Sequence, residues 1–83
     1  MNDVLKAIGR TIEAYRTQMI DQGKRVTRQR ARVEELERIG NKSVAEQSRQ
    51  LLEKMEEVLK QMQRDLSDAQ ARYDARAEEK KTT

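Results

Sequence analysis

The chain has 83 residues, 40% charged and 35% apolar, with a net charge of +3, two tyrosines as its only aromatics, and no proline, cysteine or histidine. This composition excludes a disulfide framework, thiolate chemistry, histidine-dependent catalysis and Cys- or His-ligated metal, and it supplies too little bulk for a thick globular core. A positive charge this mild does not by itself point to nucleic acid or a membrane surface.

The first residues, Met1-Asn2-Asp3-Val4-Leu5-Lys6, lack the apolar core of a signal peptide, and no apolar run along the chain approaches the length of a bilayer span. The expectation is a soluble, cytoplasmic protein. From Leu5 onward, apolar residues recur at alternating spacings of three and four: Leu5, Ile8, Ile12, Tyr15, Met19, Val26, Val33 and Leu36, with Gln22 and Gln29 in the two remaining positions. This is a heptad seam, and it predicts a first helix over about residues 3–39. High charge with low hydrophobicity also marks disordered chains, but those lack such long-range periodicity.

Gly9 and Gly23 interrupt the helical pattern, and Asp21-Gln22-Gly23 could end a helix and give a three-helix arrangement. Continuity is the preferred reading, because the heptad phase passes through Gly23 unchanged. The pattern stops at Ile39-Gly40-Asn41-Lys42-Ser43, where Gly and Asn tolerate the left-handed conformation that closes a helix. Residues 40–43 are therefore predicted as the turn. Ser43-Val44-Ala45-Glu46 reads as a capping box opening a second helix over about 44–78. Its seam runs Ala45, Ser48, Leu52, Met55, Leu59, Met62, Leu66, Ala69 and Tyr73, and the charged tail 79–83 is expected to fray.

Two heptad helices joined by a short connection pack as antiparallel neighbours. The fold class is therefore all-α: a single-domain, long antiparallel helical hairpin, in which Leu36 falls near Ala45, Val33 near Ser48, Val26 near Met55, Met19 near Met62 and Ile8 near Tyr73. A thin two-helix core predicts assembly into a helical bundle, most simply a four-helix homodimer, with Gln22 and Gln29 fixing register and oligomeric state.

No catalytic constellation, metal site, cofactor motif or small-molecule site is legible, and the expectation is a protein that is not an enzyme. The carboxylates alternate with Arg and Lys on helix faces. Two surface features point to partners instead. Ile39, Val44, Leu51 and Val58, together with Val4, lie beside the seam, and four of these five cluster at the turn. This widened apolar face predicts docking of a second copy or a protein partner, as in an adaptor, chaperone-like subunit or inhibitor. The second feature is the basic run Lys24, Arg25, Arg28, Arg30 and Arg32. The plain expectation is that it sits opposite Glu53, Glu56 and Glu57 and sets the hairpin register through ion pairs. The sharper reading is a small RNA- or DNA-binding regulator contacting phosphates. A self-assembling structural coiled coil is a third class.

Overall fold

The computed structural model describes residues 3–81, with side chains through Glu79. Two helices, α1 (Asp3–Ile39) and α2 (Lys42–Lys81), pack against each other as one extended antiparallel hairpin measuring 65 × 14 × 12 Å. Helix α1 runs without a break through Gly9 and Gly23, so the three-helix arrangement does not form. Beside Gly23 the Thr27 hydroxyl donates to the Gly23 carbonyl at 3.0 Å, as the Thr11 and Thr17 hydroxyls do to the carbonyls four residues before them.

The predicted seam is the buried face. Ile12, Gln22, Val26 and Val33 of α1 and Ala45, Ser48, Leu52 and Ala69 of α2 are buried, and the other seam positions are half-buried. Val26, Val33 and Leu52 form the centre of the core, with Met55 and Leu59 packed on it. The ring of Tyr73 lies beside Gly9 at the far end, where an added Cβ would stand 3.8 Å from it. Both contacts agree with the register read from the heptads.

The two polar seam residues are satisfied inside the hairpin. Gln22 Nε2 donates to the Met55 carbonyl at 3.0 Å, and Gln29 Nε2 donates to the Ser48 carbonyl at 2.8 Å. One heptad separates the two donors and one heptad separates the two acceptors, so the two bonds repeat the same cross-helix contact one heptad apart. This leaves no buried side-chain polar atom without a partner among the described residues.

The connection is tighter than the sequence pattern predicts. Gly40 adopts a positive φ of 83°, which lets Gly40 N–H donate to the Glu37 carbonyl at 3.1 Å and Asn41 N–H to the Leu36 carbonyl at 3.2 Å. These are the paired bonds of a Schellman closure. Asn41 then caps the next helix: its side-chain Oδ1 accepts from Val44 N–H at 3.3 Å and its carbonyl from Ala45 N–H at 2.9 Å. The N-cap is therefore Asn41 rather than Ser43, and α2 starts at Lys42 rather than near residue 44. Glu46, expected to complete a capping box, pairs with Arg49 instead. At the other end α2 continues to Lys81, beyond the predicted end near 78, while the part of the predicted tail at Thr82 and Thr83 lies outside the described residues.

Candidate functional site

The antiparallel seam leaves two long edges. Residues that follow the second position of each seam pair (Gly23, Arg30 and Glu37 on α1; Arg49 and Glu56 on α2) share one edge, as the ion pair between Glu37 and Arg49 across the helices demonstrates. Residues on the other flank of the seam (Arg25, Arg32 and Ile39 on α1; Val44, Leu51 and Val58 on α2) share the opposite edge, because in an antiparallel pair like flanks meet.

The second edge carries the apolar residues identified from the sequence. Ile39 is 67% exposed, Leu51 51% and Val58 47%, while Val44 is half-buried at the turn. They line the turn-proximal half of one edge, as expected, and the described chain offers them nothing further to pack against. Val4, also exposed, falls at the open end of the hairpin and is separate from them. Sequence reasoning missed Ile20, which is 60% exposed on α1 beside the shallow dip left by Gly23, near Lys24, Thr27 and Arg28. The seam pattern gives no signal for it, since it sits outside both flanking positions, and a single exposed aliphatic needs no explanation of its own.

The basic run is arranged differently from the expectation. Lys24, Arg25, Arg28, Arg30 and Arg32 are all exposed, and none forms an ion pair or side-chain hydrogen bond among the described residues. They do not set the register by pairing with Glu53, Glu56 and Glu57. For Arg25 and Arg32 the reason is edge geometry, since they lie on the flank whose α2 positions are Val58 and Leu51 while Glu53 and Glu56 belong to the opposite side; Arg30 shares the edge of Glu56 without pairing with it. The cross-helix contacts that form are the seam packing, the Gln22 and Gln29 hydrogen bonds and the ion pair between Glu37 and Arg49.

The edges also differ in charge. Around the apolar edge in the turn-proximal half stand Arg25, Arg28, Arg32 and Lys54, against one carboxylate, Glu35, which is held by Arg38 at 2.8 Å. The other edge carries Glu34, Glu37, Glu46, Glu53 and Glu56 against Arg30, Lys42 and Arg49. There Arg49 bridges Glu37 and Glu46, and its hydrogen bond to Glu37 raises the guanidinium pKa above its ordinary value.

The described residues include no group of His, Cys, Asp and Glu placed to hold a metal ion, and no helix long and apolar enough to cross a membrane. The grooves along the hairpin are open, lined by helix surface rather than by convergent polar groups; one runs past Arg16, Met19, Leu66 and Gln70, another past Glu37, Gly40, Ala45 and Arg49. Comparison with protein families, curated proteins and solved structures finds no match to this chain.

Proposed function

We propose that the hairpin is a non-enzymatic protein-interaction module that holds a protein partner along its turn-proximal apolar edge. The observation that carries this reading is the alignment of Ile39, Leu51 and Val58, each about half or more exposed, with Val44 on a single edge of the hairpin. Aliphatic groups at that exposure gain free energy only when something covers them.

The overall dimensions support it. The accessible surface is 6512 Å² for 9.7 kDa, where a compact monomer of this mass would expose about 5,100 Å². The radius of gyration is 18.7 Å, where a compact chain of this length would have about 12 Å. The surplus surface exceeds the roughly 800 Å² that one side of a standard interface buries. An adaptor, chaperone-like subunit or inhibitor would use such a surface in this way, and a homodimer would cover it by self-association.

A second reading has its own observation. Among the described residues the five cations in the run from Lys24 to Arg32 are exposed and free of ion pairs, which leaves them available to phosphates.

The deciding experiment compares the double variant Leu51→Glu with Val58→Glu against the unsubstituted chain. Interaction through this edge predicts loss of partner capture, or of self-association in sedimentation, with helicity by circular dichroism retained. Unchanged association in the double variant would remove the edge from consideration. Binding to nucleic acid that weakens steeply with salt and disappears in Lys24→Glu with Arg28→Glu would establish the second reading in its place.

A further inference from the structure

We infer that the occupant of the apolar edge is an acidic amphipathic helix belonging to a protein partner. This rests on the interaction reading above and specifies the chemistry of what docks. The edge is a track with two rails. On α2, Val44, Leu51 and Val58 recur every seven residues, so they stand in line along the helix. On α1, Arg25 and Arg32 recur at the same interval, lie across from Val58 and Leu51, and lead into Ile39 beside Val44 at the turn. Arg28 and Lys54 flank the track on its outer sides. The two heptads from Val44 to Val58 span about 21 Å at 1.5 Å per residue, the length of four turns of helix.

A helix laid on this track would set an apolar stripe against Leu51, Val58 and Ile39 and carry carboxylates beside that stripe, within reach of Arg25 and Arg32. The arginines suit this role because no described residue forms an ion pair or side-chain hydrogen bond with them, so none of these has to be broken before they bind a ligand carboxylate. Helix-in-groove recognition of this kind reads apolar anchors at helical spacing and takes its orientation from the flanking charge.

The other occupants fit less well. A second copy joined through the same edge would bring Arg25, Arg28, Arg32 and Lys54 towards their own counterparts, since a two-fold contact pairs a patch with itself. A copy joined through its acidic edge would match the charge, but Arg30, Glu37, Arg49 and Glu56 offer no apolar group to cover Leu51 and Val58. A nucleic-acid backbone would engage the cations and leave the aliphatic rail facing phosphate.

The test uses the full chain and three fluorescein-labelled peptides of about 18 residues, long enough to cover the track. One carries leucines at helical three-and-four spacing flanked by glutamates, the second the same leucines flanked by lysines, and the third the glutamates with serine in place of leucine. Anisotropy titrations should show the glutamate–leucine peptide binding at least about tenfold more tightly than either control, and more weakly as salt rises. Arg25→Glu with Arg32→Glu should shift preference to the lysine-flanked peptide, Arg25→Gln with Arg32→Gln should abolish the preference, and Leu51→Glu with Val58→Glu should remove binding. Equal binding of the glutamate- and lysine-flanked peptides, with dependence on Leu51 and Val58 intact, would overturn the acidic-helix inference and leave the interaction reading standing. Binding of the serine peptide or a duplex oligonucleotide as tight as that of the glutamate–leucine peptide would show a general polyanion surface and overturn the inference. Binding of none of the peptides, or a dimer in sedimentation that Leu51→Glu dissociates, would overturn it as well.

Discussion

Along the half of the hairpin nearest the turn, the two edges use their flanking positions in opposite ways. On one, Glu37, Glu46 and Arg49 are tied into an ion-pair network that crosses between helices, and the edge is polar throughout. On the other, Arg25 and Arg32 form no ion pair among the described residues, and the facing positions are Leu51 and Val58. Flanking residues of a helix pair can thus serve the fold or remain available to a ligand, and only their interactions distinguish the two. Charge density alone would have ranked the basic run as the more structural of the two sets, whereas the structure makes it the freer.

The largest expected effect separates the seam from the free edge at adjacent residues. Leu52 is 8% exposed and Leu51 51%. Leu52→Ala should cost about 2–4 kcal/mol in urea unfolding, and Leu51→Ala no more than about 0.5 kcal/mol. Equal losses would mean that the edge is part of the core and erase the distinction between them. Next comes the pair of glutamines: Gln22→Ala and Gln29→Ala should each cost about 1 kcal/mol. Leucine at both positions should preserve stability but loosen the register, visible as a broadened distance distribution between spin labels on the two helices. The smallest effect sharpens the comparison of edges directly. Arg25→Glu with Arg32→Glu should change unfolding free energy by about 0.5 kcal/mol or less, because these arginines make no ion pair among the described residues. Arg49→Ala, which dissolves the network on the other edge, should lower the melting temperature more at low salt than at high salt.

The architecture was legible because it depends on periodicity, which is local. Every seam residue named from the heptads, from Leu5 to Leu36 and from Ala45 to Tyr73, is buried or half-buried. The cap was misread because Ser43-Val44-Ala45-Glu46 is a sound capping sequence, and the choice of Asn41 depends on how Gly40 redirects the chain. The role of the arginines was harder still. Sequence distance put Arg25 and Arg32 near Glu53, Glu56 and Glu57, but the edge on which each residue falls depends on the handedness of an antiparallel pair, and that places aliphatic groups across from them. Gln22 and Gln29 were legible as polar seam residues, while their acceptors, two backbone carbonyls of α2, carry no sequence signature at all.

The Gly40-Asn41 connection has a consequence for the order in which the molecule assembles. Contacts beside it join residues close in sequence, 12 positions for Glu37 with Arg49 and 19 for Gln29 with Ser48, whereas Gln22 with Met55 spans 33 and Gly9 beside Tyr73 encloses most of the chain. Loop-closure entropy therefore favours zipping from the turn outward, each contact shortening the loop left for the next. On this ground the open end is expected to close last and separate first. The segment bearing Ile39, Val44, Leu51 and Val58 lies on the part that forms earliest, so the track is complete while the far ends of the helices are still coming together.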